Sequence, residues 1–165
     1  MSVIRVVVLL HHTLLRAGVV ETLNAEPDIT VVAQGSLAKE AVRLAVEYQP
    51  DVMLLDINMP GNGMKALESV LALCPDVKPV ILSGAAEQVR AAREKGAWGF
   101  VLKGCSGTEL ARSLRLIHGG ERYISSALRR RVSAAVTAAP DEDQSDLMQG
   151  LQRLRRFLGP GGGAS

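Results

Sequence analysis

Five stretches of this chain are dominated by apolar residues with no strict alternation, and each is followed by a stretch whose apolar positions recur every three to four residues. A strand exposed on one face would alternate, so unalternated runs predict strands buried on both faces. The predicted strands are Val3–Leu10, Ile29–Ala33, Val52–Leu55 ending at Asp56, Val80–Leu82 ending at Ser83, and Trp98–Leu102 ending at Lys103. The predicted helices fall between and after them. Leu14–Ala25 places Leu15, Val19 and Leu23 on one inward side. Ser36 is positioned to cap a helix running to Tyr48, with Pro50 beyond its end. Gly61-Asn62-Gly63 leads into a helix through Leu73, closed by Cys74-Pro75. Ala86–Lys95 is followed by Gly96 as a left-handed cap. Ser106-Gly107-Thr108-Glu109 has the spacing of a capping box and opens a helix to His118, stopped by Gly119-Gly120.

Strand and helix thus alternate five times, which predicts an α/β fold: a doubly wound, five-stranded parallel sheet covered by helices on both faces. In such a sheet the loops after the strands gather at the carboxyl edge, near the point where strand order reverses. The residues delivered there are His11, Asp56, Ser83 and Lys103. Residues 1–120 form this domain. Residues 121–139 add a short extended piece at Tyr123-Ile124 and a helix capped by Ser125 or Ser126. Residues 140–165 read as an acidic linker from Pro140 to Gln144, a short amphipathic helix to Leu158 and a Gly-rich tail. Along that last helix Leu147, Leu151, Leu154 and Leu158 fall at i, i+4, i+7 and i+11, a seam suited to docking on its own domain or to pairing with a partner.

Composition removes several alternatives. At 165 residues the chain suits one domain with an appendage. Aromatics make up only 3%, too few for base-stacking platforms, and a net charge of +2 gives no support for nucleic-acid binding. Arg129-Arg130-Arg131 is accordingly read as a solvated helix face. Cys74 and Cys105 fit neither a metal motif nor a disulfide framework, and no apolar run is long enough for a membrane span. The expected location is the cytoplasm.

The spacing of these residues resembles the receiver domain of two-component response regulators of the NarL/FixJ kind, over residues 3–137. The marks are Asp56 with Met59-Pro60-Gly61, Leu82-Ser83 after the fourth strand, Val101-Leu102-Lys103 after the fifth, and the exit His118-Gly119-Gly120-Glu121-Arg122-Tyr123-Ile124-Ser125. The resemblance implies a flavodoxin-like sheet of order 2-1-3-4-5, with Asp56 accepting a phosphoryl group from a histidine kinase. It further implies that Ser83 bonds the phosphoryl oxygen, that Lys103 pairs with the acceptor, that the Asn58 backbone carbonyl is a magnesium ligand, and that Phe100 is the switch aromatic. Such chemistry is mostly positioning and charge neutralisation. Association is expected through the fourth helix, fifth strand and fifth helix, with Trp98 to Leu102 as the exposed edge strand, or through the C-terminal helix.

The first loop departs from that pattern. Family members carry an acidic pair there, and alignment on His12-Thr13 puts Leu10 and His11 in its place. Magnesium takes hard oxygen ligands in near-octahedral geometry, which leucine and imidazole do not supply. Each missing charge about 4 Å from the ion is worth roughly 4 kcal/mol before desolvation at an effective dielectric near 20. The pair His11-His12 lacks a third ligand beyond Asp56 for a transition metal. His11 is instead expected to plug the emptied pocket by bonding Asp56. The reading is therefore a non-enzymatic, atypical receiver acting by protein–protein contact, with magnesium binding weak or lost and no cofactor. The alternative is a working phosphoacceptor at Asp56 controlling a DNA-binding, LuxR-type output. Such an output needs roughly 55–60 residues by its helix count, whereas residues 141–165 supply 25.

Overall fold

The structure, a computed structural model, describes residues 2–83 and 86–138. The sheet is built from β1 (Ile4–Leu9), β2 (Ile29–Gly35), β3 (Val52–Asp56), β4 (Lys78–Ser83), β5 (Gly99–Leu102) and β6 (Tyr123–Ile124). The helices are α1 (Thr13–Asn24), α2 (Ala41–Tyr48), α3 (Gly63–Leu73), α4 (Ala86–Lys95), α5 (Gly107–His118) and α6 (Ser126–Ala138). All strand pairs are parallel, in the order β2-β1-β3-β4-β5-β6.

The apolar runs do what two-sided burial demands. Alternate residues of each strand feed two separate apolar layers. Val7, Leu9, Met53, Leu55, Ile81 and Phe100 meet residues of α2, α3, α4 and α6. Val6, Val8, Leu54, Val80, Leu82 and Val101 meet residues of α1 and α5. Every residue of β3 is buried, including the terminal Asp56. Val19 and Leu23 are buried on α1 as the period predicts, and Leu15 is partly buried against the same layer.

The sheet has six strands, not the five expected. Tyr123 and Ile124 pair with Gly99 and Phe100, and flanking bonds run from the Tyr123 N–H to the Trp98 carbonyl (3.3 Å) and from the Ser125 N–H to the Phe100 carbonyl (2.9 Å). The Tyr123 hydroxyl donates to Glu109 Oε1 at 3.2 Å, anchoring β6 to α5. Burial raises the Tyr123 pKa, with the Glu109 charge adding to it. A two-residue strand is too short to show a period. Its addition corrects a second expectation, because β5 is an interior strand and Trp98–Leu102 is not an exposed edge. Trp98 itself precedes β5 and is partly buried between Arg122 and Lys78, whose cationic groups lie 4.0 and 5.2 Å from its ring.

The start of α2 also differs. Ser36 does not cap it; Glu40 Oε1 accepts from the N–H groups of both Ser36 and Leu37 at 3.1 Å, and Ala38–Glu40 form a 3₁₀ turn before α2 begins. The longer Glu40 side chain reaches back to both amides, and its charge strengthens both bonds. Ser106 and Ser125 do cap, accepting from the Glu109 N–H (3.1 Å) and the Leu128 N–H (3.4 Å). Arg115 on α5 grips the α1–β2 loop, with Nε and Nη2 donating to the two Asp28 oxygens at 2.8 and 2.9 Å and Nη2 also reaching Glu26 at 2.8 Å. That guanidinium holds the Asp28 carboxyl below its ordinary value. Among the described residues no helix is long and apolar enough to cross a membrane, and both cysteines are free. The linker from Pro140, the leucine-bearing segment and the Gly-rich tail lie outside the described residues.

Candidate functional site: the Asp56 pocket at the carboxyl edge of the sheet

Asp56 closes β3, Ser83 closes β4, and Lys103 follows β5, so parallel register alone brings the three to one edge. The Lys103 N–H donates to the Ser83 carbonyl at 3.0 Å, locking these two strand ends together. Asp56 is 2% exposed. A carboxylate that buried needs partners, and it has two. Oδ2 lies 2.6 Å from Lys103 Nζ, and Oδ1 accepts the Asn58 N–H at 2.8 Å.

The loop beyond Asp56 is shaped by close backbone contact. A Cβ on Gly63 would stand 2.3 Å from the Ile57 carbonyl oxygen, so only glycine fits at the start of α3. Asn62 is left-handed (φ 72°) and its side chain accepts from the Lys65 N–H at 3.1 Å, capping α3. The Pro60 carbonyl accepts from the Ala38 N–H at 3.0 Å, pinning the loop to the turn before α2.

Sequence reasoning missed Gln88. From α4 it spans the mouth of the site: Ser83 Oγ donates to Gln88 Oε1 at 2.9 Å, and Gln88 Nε2 donates to Asn58 Oδ1 at 2.6 Å. One amide can serve a donor and an acceptor at once, so Gln88 ties α4 to both the β3–α3 loop and the end of β4. Replacing it, Gln88→Ala, is expected to lower stability by about 1 kcal/mol and to speed amide hydrogen exchange at Asn58. Unchanged exchange there would show that the bridge holds nothing. Gln88 carries no motif that points to it; only the seating of α4 over the β4 end exposes its role.

The first loop supplies none of the acids of the related pattern. Leu10 is 0% exposed and packs in the α1/α5 layer. Its carbonyl accepts Arg16 Nη1 at 2.8 Å, and Arg16 Nε donates to Gln34 at 3.2 Å. A cation therefore braces this loop, a second feature not anticipated from sequence. His11 is exposed, with its ring 5.8 Å from that of the equally exposed His12. The expectation that His11 plugs the pocket is thus corrected: the Asp56 oxygens are taken by Lys103 and the Asn58 amide, and the imidazole gains nothing by leaving water. Phe100 is fully buried in the α2/α3/α4/α6 layer, opposite Ile81 and Ile124 in register.

Among the described residues no group of three or more His, Cys, Asp or Glu side chains is placed to hold a metal. Both oxygens of the Asp56 carboxylate have partners.

With this geometry in hand, the match to known proteins is decisive. The family model for the response regulator receiver domain matches residues 6–115. The chain belongs to the response regulator receiver family. Over 150 residues this receiver is 33% identical to the nitrate/nitrite response regulator protein NarL of Escherichia coli K12, covering 89% of the chain and 69% of that protein. Over 133 residues it is 34% identical to the response regulator GacA of Pseudomonas viridiflava, covering 79% of the chain and 62% of that protein. The receiver also superposes on the signal receiver domain of a NarL response regulator from Mycobacterium tuberculosis with a TM-score of 0.70 and 31% identity, covering 73% of this chain and 100% of that one. A LuxR-family two-component response regulator from Aurantimonas sp. SI85-9A1 gives a TM-score of 0.75 at 26% identity, over 81% of this chain and 97% of that one.

Proposed function

We propose that this receiver signals through protein–protein contact, with magnesium-dependent phosphorylation of Asp56 weak or absent. The observation that carries the reading is Leu10, buried in the apolar layer where its relatives are expected to hold an acid. Asp56, Ser83 and Lys103 keep the arrangement of a phosphoryl site, but charge neutralisation at Asp56 falls to Lys103 alone. A pocket of this kind favours one resting state, in which the ion pair and the Gln88 bridge hold the strand ends and α4 together. The natural partners are a histidine kinase or another signalling protein of the cytoplasm. Self-association would use the α4–β5–α5 edge, whose outer surface is now formed by β6 and α6. No enzymatic turnover and no cofactor are part of this reading.

Incubation with a small phosphodonor such as acetyl phosphate, across a magnesium series, tests it. The expected mass spectrum shows little phosphoaspartate at any ordinary magnesium level. Stoichiometric modification of Asp56 would instead support the second reading, a working phosphoacceptor controlling a DNA-binding output of the LuxR type. The presence of Asp56, Ser83 and Lys103 in one cluster favours that alternative.

A further inference from the structure

Ser83, at the end of β4, is buried, and a hydroxyl has one proton to give. That proton goes to Gln88 Oε1 at 2.9 Å, while Gln88 Nε2 donates to Asn58 Oδ1 at 2.6 Å. The same Asn58 gives its backbone N–H to Asp56 Oδ1 at 2.8 Å, and Asp56 lies opposite Leu82, the residue before Ser83, on the neighbouring strand. The Gln88 amide therefore runs from one flank of the Asp56 carboxylate to the other. Its Oε1 receives the Ser83 proton that an oxygen of a phosphoryl group on Asp56 would otherwise take.

We propose that Gln88 is an inhibitory latch on this pocket: its amide stands in for a phosphoryl oxygen at Ser83, so the pocket accepts a phosphoryl group only when the first turn of α4 lets go. The latch rests on the reading of Asp56, Ser83 and Lys103 as a phosphoryl site and adds the regulation of that site. Two hydrogen bonds of ordinary net strength hold the open state to roughly a fifth of molecules or fewer, and a site competent in only a fraction of molecules loses apparent affinity by that fraction. Gln88 sits in the first turn of α4, whereas Val89 and Ala92 are buried and Lys95, in the last turn, pairs with Glu68 of α3. Release therefore takes a swing of the Gln88 side chain or of the first turn alone. Linkage makes the effect reciprocal: a partner that draws this turn away readies the pocket, and a group placed on Asp56 frees the turn for a partner.

Acetyl phosphate with saturating magnesium, applied to the full chain, tests the latch. A carboxylate oxygen of Asp56 bonds to phosphorus as the bond from phosphorus to the acetyl oxygen breaks, and acetate leaves with that electron pair. The initial rate of phosphoaspartate formation is read by intact mass. Gln88→Ala and Gln88→Glu are each made in the native chain and in the double variant Leu10→Asp with His11→Asp. Gln88→Ala is expected to raise the rate about fivefold or more over its parent in each background that reacts. Gln88→Glu keeps an acceptor for the Ser83 proton, and the Asn58 amide turns to donate to it, so its rate stays at or below the parent's. A bridge that served stability alone would leave Gln88→Ala no faster than its parent, and that result overturns the latch. So does a Gln88→Glu variant as fast as Gln88→Ala, or modification undetectable in every chain. Stoichiometric modification of the native chain at ordinary magnesium levels defeats the reading of weak phosphorylation instead, and the ratio of Gln88→Ala to its parent still decides the latch.

Discussion

Placing aspartate at both first-loop positions, Leu10→Asp with His11→Asp, is expected to make Asp56 phosphorylation magnesium-dependent. The two residues are not equivalent in the fold, and that shapes the result. His11 is exposed, so its replacement costs little. Leu10 is wholly buried, and truncating such a leucine costs ~2–5 kcal/mol before any charge is introduced. A carboxylate buried there near Asp56 adds a further penalty that a cation removes. The double variant should therefore melt well below the native chain without magnesium and recover as magnesium is added, since a ligand that binds only the folded state stabilises it by mass action. Two charges, each worth roughly 4 kcal/mol before desolvation, leave room for a gain of about a hundredfold or more in magnesium affinity. The native chain should show no comparable shift. Thermal melts across a magnesium series, read beside phosphoaspartate yield, check both halves. A folded double variant that ignores magnesium would show that the first loop is not what sets the chemistry of this pocket.

The second large effect concerns Lys103. Its ammonium lies 2.6 Å from an Asp56 side chain that is 3% exposed, while its own side chain is 29% exposed. Removing one partner of a buried ion pair strands the other charge, at a cost of ~3–5 kcal/mol when both are buried. Partial exposure of Lys103 brings the expected loss for Lys103→Ala to about 2–4 kcal/mol, or roughly 5–15 °C in Tm for a domain of this size. The Asn58 amide still holds one Asp56 oxygen, so the variant should fold. Asp56→Asn should cost less, because the amide keeps hydrogen bonds without a stranded charge. The double variant Asp56→Asn with Lys103→Ala should be more stable than the sum of single losses implies, and the cycle measures the coupling. Additive losses would mean that the pair does not hold the resting state together.

Much of this architecture was legible before any coordinates. Unalternated apolar runs marked β1 to β5, because burial on two faces leaves few polar positions inside β3, β4 and β5, while β1 admits Arg5 and the edge strand β2 admits Thr30 and Gln34. Strand–helix alternation then required parallel pairing, and parallel pairing carries Asp56, Ser83 and Lys103 to one edge whatever else the chain does. The cap at Ser106 and the left-handed Gly96 after α4 were written in local residue chemistry. The departure of Leu10 and His11 from an acidic pair was equally plain, since it is a matter of residue type.

Tertiary structure decided everything that depends on where distant elements sit. β6 joins the sheet through backbone groups of Trp98 and Phe100, which no period in Tyr123-Ile124 announces. Glu40 displaces Ser36 because its carboxylate meets two amides only after the 3₁₀ turn is formed. His11 faces water because Lys103 and the Asn58 amide already occupy the Asp56 oxygens, and Gln88 enters the site because α4 lies over the end of β4. Burial is coded locally, one residue at a time, by hydrophobic period. Hydrogen-bond partnership belongs to pairs of elements, and it exists only once the chain has packed them together.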